Sequence, residues 1–162
     1  MSQKVRREVA ERAIVEGNGI LRLEPAWVAR VFIPPGRRLG LDESFYDLGP
    51  RGGICERWLA STTSADNPVP VPDEGLSFLR FDSSEKMTLK EAVEVAGPMI
   101  LGKRYALRHP TLDRLAKIFD YADRLPFHLH QMKKHAVLVG RKPKEEAYFF
   151  PGGVDLGVHP ES

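Results

Sequence analysis

Leu125-Pro126-Phe127-His128-Leu129-His130, followed by Lys144-Glu145-Glu146-Ala147-Tyr148-Phe149-Phe150, is the stretch from which the rest of the chain can be read. Two histidines stand two apart in an apolar run, and a carboxylate lies on a second apolar run. Side chains at i and i+2 of a β-strand share a face, so His128 and His130 are expected to project side by side. A neighbouring strand would bring Glu146 toward them. Two imidazoles and a carboxylate on one wall suit a divalent metal and leave positions for water or substrate. Lys144, two residues before Glu146, shares its face. It is the candidate catalytic residue, placed to bind a substrate hydroxyl or to stabilise an enolate oxygen.

Each of these residues also has a plainer reading. A His-x-His pair can be two partly exposed rings, or one ring satisfied by a backbone carbonyl. Glu146 can be a surface residue at a strand entrance, as its neighbour Glu145 is, although a carboxylate beside Tyr148-Phe149-Phe150 is costly to bury unless paired or coordinated. Lys144 can be solvated or ion-paired. His135 sits among lysines and His109 precedes a proline, so both read as solvated or loop residues. His159 is a late candidate ligand near the end of the sequence. Glu56 shares a strand face with Trp58 and is expected either to support the site from behind or to pair with an arginine such as Arg57 or Arg30. The aromatics Phe127, Tyr148, Phe149, Phe150 and Trp58 read as core. Arg37-Arg38 and Lys103-Arg104 read as solvated faces.

Composition narrows the class. The 162 residues are 42% hydrophobic and 28% charged, the balance of a globular chain of about one domain. We therefore read residues 1–162 as a single domain, with 1–19 as an N-terminal arm and 61–75 as a mobile loop. The formal charge is +2, and the basic residues are scattered among acids with no basic block interleaved with aromatics. Nucleic acid is not an expected partner. One cysteine, Cys55, excludes an internal disulfide framework and a Cys-rich zinc site. It fits a reducing, cytoplasmic location. No apolar run approaches the roughly 20 residues of a membrane span, so no membrane partner is expected.

Along the chain, Val5, Val9, Ala13 and Ile14 predict a short amphipathic helix or an ordered arm over 4–16, broken by Gly17-Asn18-Gly19. Residues 20–23, 26–33, 54–60 and 76–81 read as strands. The Gly- and charge-rich stretch 37–53 reads as irregular. Thr88 and Glu91 form a capping box ahead of Leu89, Ala92, Val93 and Ala96, which predicts a helix stopped by Gly97-Pro98. Leu112, Leu115, Ala116 and Phe119 predict a second helix after Pro110-Thr111. Residues 144–150 and 154–158 close the list of strands.

Leu115 to His130 resembles a segment of type I mannose-6-phosphate isomerases, where a helix ending in K-x-x-D-A-x-x-x-L leads into a strand reading S-x-Q-x-H-P-D. Lys144-Glu145-Glu146-Ala147-Tyr148 is similar to that family's G-K-T-E-x-W-Y strand. Gly53 to Ala60 is similar to its G-E-x-W-E-x-S strand with a residue inserted. Thr88 to Gly102, ending in Ile100-Leu101-Gly102, resembles its L-x-x-L…LG helix. The pieces occur in the family's order over roughly residues 50–160.

The resemblance implies a mainly β fold with helical insertions, a cupin or jelly-roll barrel that this chain can leave incomplete. It implies a metal-dependent aldose–ketose isomerase of carbohydrate metabolism, with zinc as the first choice of metal and a sugar or sugar phosphate as substrate. In the family the metal is held by Gln, His, Glu and a later His. His130 matches the first His, Glu146 the Glu, and Lys144 the lysine near the substrate. His128 stands at the Gln position. The phosphate-side serine is replaced by Pro126, which offers neither hydroxyl nor N–H. Pro-Asp after the family His is Gln131-Met132. The family's last ligand and catalytic arginine come from later strands, so the resemblance implies the N-terminal portion of such a protein, or a barrel completed by another subunit, with a homodimer favoured, or a vestigial site. Two other functions fit the same residues: a non-catalytic sugar-binding or regulatory cupin module, and an Fe(II) cupin oxygenase using two His and one Glu.

Overall fold

A computed structural model describes residues 2–82 and 84–152. The chain divides into two compact units, Met1–Leu125 and Pro126–Ser162.

The first unit is built on a three-stranded antiparallel sheet, in the order β1 (Ala26–Arg30), β2 (Gly53–Leu59), β3 (Ala116–Phe119). The register places Val28 opposite Glu56 and Glu56 opposite Phe119, and Ala26 opposite Trp58 and Trp58 opposite Lys117. Directly opposed residues share a face, so Ala26, Val28, Glu56, Trp58, Lys117 and Phe119 form one side. Trp27, Arg57 and Ile118 form a cross-strand row on the other. The pairing passes from Val28–Glu56 to Ala29–Ile54, which makes Cys55 the extra residue of a β-bulge.

Two helices make a second core. α1 (Gln3–Glu16) starts at Ser2, whose hydroxyl accepts from the Val5 amide, and it buries Val9, Ala10 and Ala13. α2 (Leu89–Ile100) starts at the expected capping box. The Glu91 amide donates to Thr88 Oγ1 (3.1 Å), and the Thr88 amide donates to Glu91 Oε2 (2.9 Å). Val9, Ala10 and Ala13 pack with Leu79, Met87, Ala92 and Ala96. The small side chains at this contact let the two helices approach closely. α2 does not stop at Gly97-Pro98 as expected. It continues to Ile100 across a kink at Ala96 (φ −132°, ψ 24°). Pro98 lacks the N–H that would bond to the fourth preceding carbonyl, and its ring crowds that carbonyl, so the helix bends instead of ending. A short helix, α3 (Lys103–Ala106), follows.

Other expectations are corrected. The stripe Leu112, Leu115, Ala116, Phe119 does not form a helix. Asp113 adopts φ 51°, which breaks any helix there, and Ala116–Phe119 pairs with β2 as β3. Tertiary pairing overrides the local pattern. Residues 20–23 and 76–81 form no continuous strands: they meet through an isolated bridge, Leu23 to Leu79, and the Arg80 amide donates to the Arg22 carbonyl, while Phe78 bridges separately to Thr88. Among the described residues of the second unit, 127–130 and 144–150 are irregular, and the regular elements are α4 (Lys133–Ala136) and a 3-10 turn, Val137–Val139. The expected strand 154–158 lies outside the described residues. The mainly β expectation therefore gives way to a mixed α/β chain with a small sheet that is not closed into a barrel. Among the described residues no helix is long and apolar enough to cross a membrane.

Candidate functional site

In the second unit the chain leaves His130 and enters α4, where the Met132 carbonyl accepts from the amides of His135 and Ala136. Ala136 is fully buried. Gly140 takes the left-handed conformation (φ 63°) that ends the turn, and the Arg141 amide returns to the Ala136 carbonyl. This reversal brings residues 144–146 back to the histidines.

His128, His130 and Glu146 converge as the sequence pattern expects. One ligand atom from each lies within 4.8 Å of the others. His130 Nε2 is 2.5 Å from Glu146 Oε2, and the His128 and His130 rings sit 4.9 Å apart, edge to face. Metal–ligand bonds of about 2.0–2.2 Å separate the ligands of a tetrahedral cation by about 3.4 Å. That spacing lies between the 2.5 Å His130–Glu146 contact and the 4.8 Å within which all three ligand atoms fall. The i, i+2 logic that placed the residues together survives the loss of the strands. His128 still neighbours His130, Lys144 neighbours Glu146, and the Tyr148 and Phe150 rings stack at 6.5 Å.

Two site residues were not legible as such. Pro126 reads in the sequence only as a missing serine, but its carbonyl lies 2.7 Å from His128 Nδ1. A carbonyl only accepts, so Nδ1 carries the proton and the lone pair of the neutral ring is at Nε2, free to ligate. Tyr148 reads as core, but it is partly exposed and hydrogen-bonds to Glu146. Burial, and then the charge and hydrogen bond of Glu146, push its phenol up. The spacing Glu146-x-Tyr148 was the available signal.

Lys144 Nζ is 3.1 Å from Glu146 Oε2 and 3.3 Å from His130 Nε2. Partial burial pushes the Glu146 carboxyl up, but the hydrogen bond and charge of Lys144, followed by the contact with His130, outweigh it and hold the group below the usual carboxylate range. Glu146 is thus anionic and able to ligate at neutral pH. Among the other histidines, His135 lies in α4 and takes no part in the cluster. His109 stacks on Tyr105 and contacts Asp113 (3.1 Å). His159 lies outside the described residues.

The first unit holds a separate polar cluster. Glu56 is 1% exposed and accepts from four residues. Arg30 Nε (2.6 Å) and Tyr121 Oη (2.6 Å) reach Oε1, while Trp58 Nε1 (2.7 Å), Lys117 Nζ (3.3 Å) and a second Arg30 nitrogen (3.3 Å) reach Oε2. Of the two arginines considered as partners, Arg30 is the one used. Arg57 lies on the opposite face, over the Trp27 ring. Burial alone would raise the Glu56 carboxyl, but hydrogen bonds from Arg30 and Tyr121, the Arg30 charge and the Trp58 indole carry it down to about 2. The same surroundings silence their neighbours. Burial, then Glu56, pushes the Cys55 thiol up to about 12 and the Tyr121 phenol well above its ordinary value. Neither is a nucleophile or a base at neutral pH. Arg30 also donates to Asn67 Oδ1 (2.9 Å), and Asn67 bonds to Glu74 (3.1 Å), so the cluster ties residues 61–76 to the sheet. Arg37 pairs with Glu43 and Arg38 with Asp120, which leaves neither as an open anion site.

Compared with known proteins, the chain matches no family model, no curated protein and no solved structure.

Proposed function

We propose that the chain binds a divalent cation, zinc first, through His128, His130 and Glu146, and acts as a metal-dependent aldose–ketose isomerase of cupin type, resembling mannose-6-phosphate isomerase. The observation that carries this reading is the convergence of two imidazoles and an anionic carboxylate within 4.8 Å, with the His128 lone pair aimed by the Pro126 carbonyl.

A cation bound there supplies Lewis-acid polarisation of carbonyl and hydroxyl oxygens on a sugar. The chain's own residues do the rest. Pro126 orients His128, Tyr148 and Lys144 hold Glu146 in place, and Lys144, half exposed, is set to donate a hydrogen bond to a sugar oxygen that gains charge during proton transfer between C1 and C2. Pro126 in place of a serine favours an unphosphorylated sugar over a sugar phosphate. A jelly-roll barrel would be completed by further strands or by a second copy pairing on the open sheet, which makes a homodimer the expected assembly. A reducing, cytoplasmic setting goes with the free, buried Cys55.

The test is metal analysis of protein purified without a histidine tag, followed by an isomerase assay on aldoses with and without phosphate. Zinc at one equivalent, lost in His128→Ala and His130→Ala, with turnover of an aldose, is the expected result. Zinc retained by both variants sinks the site, and zinc without turnover sinks the isomerase. The same two-His, one-carboxylate donor set suits Fe(II), so iron content with oxygen uptake would move the assignment to an oxygenase. A thermal shift with sugars but no turnover would move it to a binding module.

A further inference from the structure

We propose that Lys144 is an internal competitor for the cation, so that loading the site requires displacing the lysine ammonium and at the same time releases it toward a ligand. The inference rests on the metal reading of His128, His130 and Glu146, and concerns what controls that site.

The argument is one of a shared acceptor, the Glu146 oxygen. Lys144 Nζ stands 3.3 Å from His130 Nε2 and 3.1 Å from Glu146 Oε2, and these two atoms are 2.5 Å from each other. They are the atoms that would ligate. An ammonium carries three donors and no acceptor, and a neutral imidazole has a single in-plane lone pair. Anionic Glu146 only accepts, so His130 Nε2 carries the ring proton and donates to it, and Nε2 coordinates a cation only once that proton has moved to Nδ1. The same Glu146 oxygen also accepts from the Lys144 ammonium, so the acceptor that a cation needs is already engaged. A cation therefore enters by exchange with Lys144.

Three further features make the exchange workable. Lys144 is half exposed, so its head group has solvent to move into. It lies two residues from Glu146, so after displacement it stays tethered beside the cation as a donor. The His128 ring is held by Pro126 and does not contact Lys144 among the bonds described, so one ligand remains in place while the other two change partner. The device also discriminates. A cation must bind imidazole nitrogen well enough to expel an ammonium, which favours zinc and its transition-metal neighbours over magnesium or calcium.

The experiment is zinc binding to the full chain, measured by competition with a chromophoric chelator, for the wild type, Lys144→Met, Lys144→Arg and His130→Ala. Removing the charge-assisted Lys144–Glu146 contact from a partly exposed site is expected to tighten zinc binding by about tenfold in Lys144→Met. Lys144→Arg keeps a cation and donors there and is expected to stay within about threefold of the wild type. His130→Ala is expected to lose the site. Binding by Lys144→Met that equals or falls below the wild type overturns the competitor role and leaves the metal site standing. Binding that His130→Ala does not weaken places the zinc elsewhere and overturns both, as does no zinc binding by wild type and Lys144→Met alike. Because Lys144 lies on an irregular, half-exposed segment, the circular dichroism spectra of its variants should match the wild type.

Discussion

Replacing Glu56 by Gln should cost the first unit about 3 kcal/mol at pH 7. The carboxyl moves from an ordinary value of 4.5 to about 2 on folding. Each unit of such a shift is worth about 1.4 kcal/mol, so the ionised form stabilises the fold by about 3 kcal/mol. Glu56 is 1% exposed, so solvent screening does little to reduce this. The geometry agrees. An amide has one oxygen to offer Arg30, Trp58, Lys117 and Tyr121, and its NH2 would be turned against donors, leaving two cations without a counter-charge. The sign follows from the direction of the shift. A carboxyl lowered on folding gives its stabilisation in full above the unfolded value, and that stabilisation is lost as pH falls from about 4.5 toward 2. The assay is urea unfolding followed by the fluorescence of Trp27 and Trp58, for both proteins, from pH 7 to pH 2.5. The difference between them should be largest at neutral pH and shrink through the acid range. The subtraction removes titrations common to both proteins. A variant within 0.5 kcal/mol of the wild type at pH 7, or a difference that does not change with pH, would refute the reasoning.

Gly75→Ala should destabilise by about 2 kcal/mol in the same assay, since Gly75 has φ +87° and an added Cβ would stand 2.6 Å from Cζ3 of Trp58. Thr88→Ala should cost about 1 kcal/mol by removing the capping hydroxyl of α2, while Thr88→Ser should recover most of it. His128→Ala should lower zinc affinity at least about tenfold, measured by competition with a chromophoric chelator. Stripping bound zinc with a chelator should shift the resonances of His128, His130, Lys144 and Glu146 in an NMR spectrum.

Legibility in the sequence followed the range of the interactions involved. α1 and α2 were readable because caps and apolar spacing are local, and the Thr88–Glu91 box is present as written. β1 and β2 were readable from alternation, including Glu56 and Trp58 on one face. β3 was not, because Leu112, Leu115, Ala116 and Phe119 satisfy a helical spacing and only the pairing of Ala116–Phe119 with β2 decides otherwise. The site was legible in an instructive way. The strand assignment for 127–130 and 144–150 failed, yet the residues it placed together are together. Same-side placement at i and i+2 needs neighbouring side chains on one side of the chain, not a hydrogen-bonded ladder. What the sequence could not express was a backbone group acting as a side chain does, which is the part played by the Pro126 carbonyl. Nor could it say which arginine Glu56 would take, since Arg30 and Arg57 differ only in the face to which the register assigns them.

The four-donor carboxylate at Glu56 also bears on how this chain can change over generations. Arg30, Trp58, Lys117 and Tyr121 all answer to one acceptor, so none of these positions drifts alone. Losing the acid first strands two cations, while losing Arg30 first leaves a buried anion with only Tyr121, Trp58 and the more distant Lys117 to hold it. Either order passes through a protein less stable than both the starting hub and a fully apolar replacement. Substitutions at these five positions should therefore be conditional on one another and travel as a set. A library that varies them singly would score each as intolerant, whereas one that varies them together would find the apolar solutions.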